Sequence, residues 1–142
     1  MSSDNYDFST KGVARYYDVS TRYYRLLWHG KSLGIHFGYY DPDIKTQEEA
    51  IVRTNDTLAR MADIKSTDKV LDAGCGVGGS SIWIAKNIGA NVTGITISPK
   101  QVIKANKYKN REGVSDKCEF VVGDFNEMDF ADNTFGVVWG IE

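Results

Sequence analysis

An acid placed two residues before a glycine-rich turn is the part of this sequence best suited to chemistry. Asp72 precedes Gly74, and further glycines follow at positions 76, 78 and 79. Glycines let the backbone approach a ligand closely, and a helix that begins after such a turn offers unpaired N–H groups. A carboxylate beside the turn repels a pyrophosphate and attracts a cation. These residue types therefore predict a site for a cationic ligand, and an ammonium or a sulfonium would suit it, rather than a site for a pyrophosphate.

The segments on either side of the turn predict the fold that positions it. Residues 69–73 are a short apolar run of the kind that forms a buried parallel strand, and residues 80–86 indicate a helix. Strand, glycine turn and helix together make the ligand-approach element of a doubly wound α/β fold. Nicotinamide and flavin proteins use a similar turn, and some such turns are purely structural. The turn by itself leaves these alternatives open.

Strands and helices alternate along the rest of the chain. Strands two, three and four are predicted at residues 92–97, 118–123 and 135–141. Ser98 is the predicted N-cap of the helix after strand two, with Pro99 at its first position and Gln101 completing a capping box. Thr46 and Glu49 form a second capping box, which starts a helix before the first strand. The alternation predicts a parallel sheet with right-handed crossovers, and the doubly wound fold to which such a sheet belongs has the strand order 3-2-1-4.

Aromatic residues crowd the N-terminal part of the chain. Two short helices are expected between residues 12 and 28, broken at residues 18–21, with Ser20 capping the second. Their tyrosines either cover the α/β core or form a lid over a bound ligand, because aromatic rings with polar tips suit a small cationic substrate. Both interpretations stay open. The lid candidates are Tyr16, Tyr17, Tyr24 and, in a loop-like stretch that follows, His36.

The composition limits the classes of function. The chain has 142 residues, 42% of them hydrophobic, and a net charge of −2, which predicts one globular domain with a core. This charge balance gives no electrostatic reason to expect nucleic acid or a membrane as a partner. No signal peptide or spanning segment is recognisable, so a cytoplasmic location is expected. Cys75 and Cys118 lie apart from each other and from both histidines, so neither a metal site nor a disulfide is predicted.

The motif around the glycine turn, Asp72-Ala-Gly-Cys-Gly-Val-Gly, closely resembles motif I of the class I S-adenosylmethionine-dependent methyltransferases. Other segments resemble a small-molecule subgroup: sarcosine/dimethylglycine N-methyltransferases, tocopherol-type C-methyltransferases and cyclopropane fatty-acid synthases. These segments are Tyr16-Tyr17-Asp18, His36-Phe-Gly38-Tyr39, residues 94–101 and residues 138–142. The resemblance implies S-adenosylmethionine as the cofactor. It also implies a Rossmann-like doubly wound parallel sheet (residues 46–142) with an N-terminal helical, aromatic-rich cap (residues 1–45).

The resemblance also assigns cofactor contacts to individual residues. The family's usual acid at the end of strand two, which accepts hydrogen bonds from the ribose hydroxyls, has no counterpart here. Thr96, Ile97 and Gln101 are therefore expected to hold the ribose. Asp124 resembles the acid that accepts from the adenine amino group, and Phe125 is expected against the ring. Gly74 and Gly76 are expected to let the backbone approach the methionine part, and Asp72 and Cys75 are further expected cofactor contacts.

The resemblance implies methyl transfer to a small-molecule acceptor. A small amine such as a glycine derivative is the first expectation, because an amine needs positioning rather than a general base. A carbon or oxygen acceptor, small or lipid-like, is the alternative. It needs a base, for which His36 and Glu142 are the candidates. A cofactor-binding module without catalysis and a nicotinamide-dependent oxidoreductase are further alternatives.

The chain ends at Glu142, immediately after strand four, whereas three more strands follow in the family. We therefore expect strand four to be an apolar edge with an exposed Trp139, and such edges recruit other strands. The expected consequence is either self-association through strand four or a C-terminal half that is supplied separately.

Overall fold

The computed structural model describes residues 9–27 and 32–141, except for the side chains of residues 21–27. Its helices are α1 (Thr10–Leu27), α2 (Gln47–Met61), α3 (Gly79–Asn87) and α4 (Pro99–Glu112). Its strands are β1 (Lys69–Ala73), β2 (Asn91–Thr96), β3 (Cys118–Val122) and β4 (Val137–Trp139). The order β1, α3, β2, α4, β3 confirms the predicted alternation of strands and helices.

The four strands form one parallel sheet in the order β3-β2-β1-β4, as predicted. β1 lies inside the sheet, where Asp72 pairs with Gly94 of β2 on one side and with Trp139 of β4 on the other. Because the strands are parallel, their carboxyl ends meet at one edge of the sheet. Ligands of open α/β sheets bind at this edge. The glycine turn after β1 therefore lies where a ligand is expected.

The core lies between one face of the sheet and the helices α2, α3 and α4. Alternate strand residues point to this face, as the two-residue period of a strand requires. Val70, Val92 and Phe120 are examples, and they belong to the same buried cluster as Ile82 and Ile84 of α3. Burial is worth about 0.8 kcal/mol per methylene group. Apolar packing therefore holds α3 and α4 in place, and with them the backbone that follows β1 and β2.

Capping residues set where α2 and α4 begin. Thr46 accepts a hydrogen bond from the Glu49 N–H, and the Glu49 carboxylate accepts one from the Thr46 N–H, which confirms the predicted capping box. The Ser98 hydroxyl accepts from the Gln101 N–H at 3.2 Å, and Pro99 lies in the first turn of α4. These bonds satisfy N–H groups that have no partner inside the helix. α4 therefore begins immediately beyond β2.

α1 differs from the prediction, because it is one continuous helix and not two short ones. Ser9 helps to start it, since its hydroxyl accepts a hydrogen bond from the Gly12 N–H at 3.2 Å. The break expected at residues 18–21 is absent because the Asp18 side chain is engaged by α4. Residues of low helix propensity, other than glycine and proline, cost at most about 0.7 kcal/mol each. The contacts of Asp18 with α4 therefore outweigh the low helix propensity of residues 18–21.

β4 is shorter than predicted, because it covers Val137–Trp139 whereas the apolar run covers residues 135–141. A strand extends only as far as its neighbour supplies hydrogen bonds, and the β1 register pairs β4 with residues 70–72. The expected exposure of Trp139 is also wrong. Trp139 points to the helical face and is 5% exposed, while Val138 points to the other face and is 70% exposed.

Candidate functional site

The turn between β1 and α3 is built from glycines whose backbone conformation other residues rarely adopt. Gly74, Gly76 and Gly78 have φ values of 81°, 56° and 85°, in the left-handed region that favours glycine. The N–H groups of Gly74 and Cys75 both donate to the carbonyl oxygen of Ile95, at 3.0 Å each. These bonds tie the turn to β2, so the chain leaves β1 in a fixed direction toward α3.

The glycines of the turn have two different physical roles. A Cβ atom at Gly78 would lie 2.6 Å from the Phe120 ring, and one at Gly79 would lie 2.7 Å from the backbone of the loop near residue 33. Close packing therefore requires glycine at these two positions. A Cβ atom at Gly74 would meet nothing nearer than the Phe125 ring, at 4.0 Å. The space beside Gly74 is open, as the approach of a ligand to the backbone requires.

Asp72, near the end of β1, caps the following helix, α3. Its carboxylate accepts a hydrogen bond from the Ser81 hydroxyl at 2.5 Å and another from the Ser81 backbone N–H. Gly78, at the N-cap position, has no side chain to make such bonds. Asp72 therefore accepts the hydrogen bonds that an acidic N-cap side chain would otherwise accept. Asp72 and Ser81 are both buried. The acid therefore has a structural task besides the cofactor contact that the resemblance implies.

Burial dominates the ionisation of the acid and the thiols near the turn. It raises the pKa of the Asp72 carboxyl to about 6, although the hydrogen bonds from Ser81 oppose the shift. A cation bound beside Asp72 would favour the charged form and lower this pKa again. Burial likewise raises the pKa of the Cys75 thiol, and it raises that of Cys118 to about 12. Both thiols are protonated at neutral pH, so Cys75 contributes its backbone rather than a nucleophile.

The carboxyl end of β2 holds a buried polar group formed by Thr96, Ser98 and Gln101. The Thr96 hydroxyl donates to the Gln101 side-chain oxygen at 2.6 Å, and the Ser98 N–H donates to the Thr96 hydroxyl at 3.3 Å. The capping box predicted for α4 is therefore half formed, because the Gln101 side-chain oxygen turns to Thr96 and not back to the Ser98 N–H. Thr96 and Gln101 lie together at the strand end, and the half-buried Ile97 lies beside them.

α1 lies across the ends of β2 and β3. Asp18 accepts a hydrogen bond from the Ser98 hydroxyl at 2.6 Å and forms an ion pair with Lys100 at 3.2 Å. Earlier on the same helix, the Thr10 hydroxyl donates to the Asp124 carboxylate at 3.1 Å. At 1.5 Å per residue, the two contacts are about 12 Å apart along the helix. α1 therefore bridges the strand ends at the edge of the sheet where ligands bind.

Asp124 lies in the loop after β3, and its carboxylate accepts hydrogen bonds from Asn126 in the same loop. One carboxylate oxygen accepts from the Asn126 N–H and from its side-chain amide, both at 2.9 Å, while the other accepts from Thr10. These hydrogen bonds, the backbone one first, lower the pKa of Asp124, so it is charged at neutral pH. Phe125 is half exposed, and its ring is the nearest group to the Cβ position of Gly74. The two residues thus lie at the same edge as the glycine turn.

The loop at residues 33–38 packs against the glycine turn. The Ile35 side chain lies 3.8 Å from the Cβ position of Gly76. His36 is 6% exposed, and its Nδ1 donates to the Phe37 carbonyl oxygen at 2.9 Å. Its Nε2 is buried and has no hydrogen-bond partner among the described residues. In the neutral ring this Nε2 is an acceptor, because Nδ1 carries the hydrogen.

The structure describes the side chains of three of the four lid candidates, Tyr16, Tyr17 and His36. The rings of Tyr16 and Tyr17 meet edge to face, with their centres 5.4 Å apart. Tyr17 is half-buried, whereas Tyr16 is 57% exposed. Tyr24 belongs to α1, but its side chain lies outside the described residues, and so does Glu142.

Three contacts near the site were not recognised from the sequence, and they involve Ser81, Asp18 and Trp139. Ser81 fell inside the predicted helix, and its place in the first turn after the glycines is a signal that could have found it. The partner of Asp18 is 80 residues away, so no local pattern shows it. Trp139 pairs with Asp72 in the sheet, and its Nε1 is buried without a partner in the part of the chain that the structure describes.

The structure brings the expected cofactor residues together at one edge of the sheet. They lie at the carboxyl ends of β1, β2 and β3 or in the segments that follow these strands: Asp72, Gly74, Cys75, Gly76, Thr96, Ile97, Gln101, Asp124 and Phe125. Within residues 9–27 and 32–141, no group of His, Cys, Asp and Glu side chains is arranged to hold a metal ion. No helix in these ranges is long and apolar enough to cross a membrane.

Known proteins match this chain along nearly its whole length. The family model of the mycolic acid cyclopropane synthetases matches residues 5–141. The sterol 24-C-methyltransferase ERG6B of Gibberella zeae is 41% identical over 140 residues, which cover 99% of this chain and 35% of the relative. Among solved structures, the (4+2) cyclase SpnF superposes with a TM-score of 0.80 and 28% identity, over 92% of this chain and 48% of that one.

A second solved structure is described as a sarcosine dimethylglycine methyltransferase of Galdieria sulphuraria. It has a TM-score of 0.76 and 30% identity, over 88% of this chain and 48% of that one. The chain therefore spans about a third to a half of the length of the relatives it matches. The matching part includes the sheet and the glycine turn described above.

Proposed function

The chain belongs to the mycolic acid cyclopropane synthetase family of S-adenosylmethionine-dependent methyltransferases, and on this premise we propose that it binds S-adenosylmethionine for methyl transfer to a small organic molecule. The observation that carries the proposal is the open approach to Gly74 beside the buried carboxylate of Asp72. An open glycine backbone accepts a ligand that a side chain would exclude. The adjacent acid favours the cationic amino-acid end of this cofactor.

The other polar groups at the sheet edge fit the rest of the cofactor. Thr96 and Gln101 present a hydroxyl and an amide at the end of β2, as donors and acceptors for the ribose hydroxyls. Asp124 is charged and accepts hydrogen bonds, which suits the adenine amino group, and the half-exposed Phe125 offers a ring face. His36 adds a buried acceptor, Nε2, in the loop that packs on the turn. These contacts extend over the ends of three neighbouring strands.

The chemistry needs positioning more than acid or base groups from this chain. When bound, the cofactor supplies a methyl group on a sulfonium, which is a good leaving group for an in-line displacement by the acceptor. Fixing two reactants in the correct geometry is worth about 7–11 kcal/mol of the barrier. The glycine turn, tied to β2 by the Gly74 and Cys75 N–H groups, provides a rigid backbone for that purpose.

A small amine such as a glycine derivative is our first candidate for the acceptor. An amine attacks with its own lone pair and loses its proton to water afterwards, so it requires no general base. Of the two residues expected as a base for other acceptors, His36 is buried and Glu142 lies outside the described residues. The resemblance to a structure described as a sarcosine dimethylglycine methyltransferase supports this candidate.

A lipid-like acceptor methylated on carbon is the second candidate. The relative that favours it is a sterol 24-C-methyltransferase, 41% identical over 99% of this chain. Such an acceptor requires a base and an apolar cleft, and the exposed rings of Tyr16 and Phe125 are apolar surface near the site. A third candidate is cofactor binding without methyl transfer, because the similar fold of SpnF belongs to a protein named as a cyclase.

Calorimetric titration of the 142-residue chain tests the proposed cofactor. S-adenosylmethionine and S-adenosylhomocysteine should bind, and NADH should not. Binding of NADH in their place would contradict the proposal and favour an oxidoreductase. Incubation with radiolabelled S-adenosylmethionine and either sarcosine or a sterol then separates the acceptor candidates. Cofactor binding with no label transferred to either acceptor would favour the non-catalytic alternative.

A further inference from the structure

The carboxylate of Asp18 lies at the end of β2, although Asp18 belongs to α1. The Ser98 hydroxyl donates to one of its oxygens at 2.6 Å, and the Lys100 ammonium lies 3.2 Å from the other. A carboxylate offers about four acceptor positions, and these two partners occupy two of them. The side chain is 21% exposed, so donors from a ligand can still reach it.

The end of β2 lacks an acid of its own. In nucleotide-binding α/β folds, an acid about 20 residues beyond the glycine turn accepts a hydrogen bond from a ribose hydroxyl. In this chain that position falls near Thr96, whose hydroxyl is already bonded to Gln101. The ribose end of the site therefore has no carboxylate nearby in the sequence but has one nearby in space, from Asp18.

We propose that Asp18 accepts a hydrogen bond from a ribose hydroxyl of the bound cofactor, so that α1 forms part of the cofactor site. This inference rests on the proposed function, because it requires an adenosyl ligand. Ser98 acts as the positioning residue, since its hydroxyl holds one carboxylate oxygen, whereas the ion pair with Lys100 lies at the surface. The hydrogen bond from Ser98, followed by Lys100, lowers the pKa of Asp18, which keeps it an acceptor at neutral pH.

The position of the whole helix supports the same inference. α1 contacts the end of β2 through Asp18 and the acid after β3 through Thr10. The ribose and adenine of a nucleoside bound at this edge would lie near the ends of these same two strands. A helix fastened at both strand ends is therefore placed to contact the nucleoside between them.

The alternative is that Asp18 has a structural role only and holds α1 against α4 without contacting the ligand. Both possibilities make the Ser98 and Lys100 contacts, so loss of affinity in a variant cannot separate them. They differ in how the protein responds to removal of a ribose hydroxyl. A carboxylate that contacts the hydroxyl makes the two losses non-additive, whereas a fastening contact leaves them additive.

The test measures dissociation constants of the 142-residue chain for S-adenosylhomocysteine and for its 2′-deoxy and 3′-deoxy analogues. Loss of the hydroxyl that Asp18 holds should weaken binding about tenfold or more, as for hydrogen bonds to charged groups. Asp18→Asn should weaken binding of S-adenosylhomocysteine and reduce that penalty to about threefold or less. Lys100→Met is the matched control, because it loosens the same contact of α1 without removing the acceptor, and it should keep the full penalty.

Equal weakening of all three ligands by Asp18→Asn would show that Asp18 only fastens α1, and the proposal would be wrong. If the unchanged chain binds no adenosyl ligand, the proposed function itself is wrong, and this result is distinguishable from equal weakening of the three ligands. Melting temperatures show whether each variant folds. If Asp18→Asn does not fold, Asp18→Glu moves the same carboxylate by one methylene, and an unchanged ratio of the dissociation constants would equally overturn the proposal.

Discussion

The Ser81 hydroxyl donates to the Asp72 carboxylate at 2.5 Å and thereby joins the end of β1 to the first turn of α3. Ser81 also donates its backbone N–H to the same carboxylate. The acid that the family resemblance assigns to the cofactor therefore also caps a helix. Asp72→Ala would leave these donors unpaired in a buried place, so its effects on folding and on binding could not be separated. Asp72→Asn keeps the shape of the side chain and one acceptor oxygen for these donors, and it removes the charge.

The affinity for S-adenosylmethionine should rise with pH and level off above about pH 6. The ligand cation favours the charged form of Asp72, whose pKa burial raises to about 6, so binding is linked to loss of that proton. Asp72→Asn should bind more weakly at pH 7.5 and should lose this dependence, which lies between about pH 4 and pH 6. Calorimetry at several pH values measures both effects, and an identical pH profile in the variant would contradict the role assigned to Asp72.

Without ligand, the same carboxyl should make the protein less stable as the pH rises from about 4 to about 6. Its pKa is higher in the folded protein than its ordinary value of 3.8, so the folded state binds the proton more tightly than the unfolded state. The stability that this proton provides is lost as the pH rises from about 4 to about 6. The difference of about two pKa units corresponds to about 3 kcal/mol. Urea unfolding at pH 4.5 and pH 7.5 should show about 2 kcal/mol of this decrease in the unchanged chain relative to Asp72→Asn, because the rest lies below pH 4.5.

Gly74→Ala should abolish cofactor binding at a modest cost in stability. Its φ of 81° is strained for alanine, but the Cβ would meet no atom closer than 4.0 Å. Gly113→Ala is the matched control, because Gly113 has a φ of 73° and no atom within 4 Å of the Cβ position, and it caps α4 away from the turn. Both variants should lose about 1–2 kcal/mol of stability. If both also bind S-adenosylhomocysteine equally well, the backbone at Gly74 does not contact the ligand.

Gln101→Ala should weaken cofactor binding beyond its effect on stability. The variant leaves the buried Thr96 hydroxyl without its acceptor, which costs about 1–3 kcal/mol of stability. Asn106→Ala is a suitable control, since the Asn106 amide donates to the Val102 carbonyl oxygen within the same helix. Denaturant unfolding and titration with S-adenosylhomocysteine measure the two quantities. An affinity for Gln101→Ala equal to that of Asn106→Ala would leave Gln101 with a structural role.

The 142-residue chain should self-associate through β4. The described part of the sheet pairs β4 with β1 on one side, and unpaired strand edges with exposed apolar residues recruit other strands. Light scattering should give a mass above 15.8 kDa that rises with concentration. Val138→Lys should reduce this mass, whereas Ile103→Lys on α4 should not, although both residues are 70% exposed. A monodisperse monomer at all concentrations would contradict the prediction.

The sequence by itself determined the order of the elements and the residues that local chemistry selects. A left-handed turn needs glycine, so the turn after β1 was visible in the spacing of Gly74 and Gly76. A helix start needs acceptors for its first N–H groups, so Ser98 and Thr46 were visible as caps. The apolar runs predicted the strands, and the alternation of strands with helices predicted that the sheet is parallel. These features depend on interactions among residues that are close in the chain.

Tertiary structure alone decided which distant groups meet. The Asp18 side chain pairs with α4 across 80 residues, so α1 continues through a segment whose composition favours a break. Gln101 turns to Thr96 because both are buried together, and the end of β4 is set by its register with β1 and not by its apolar run. A buried polar group takes whichever partner the packed fold brings within hydrogen-bond distance. That distance depends on how helices and strands pack, which no local spacing encodes.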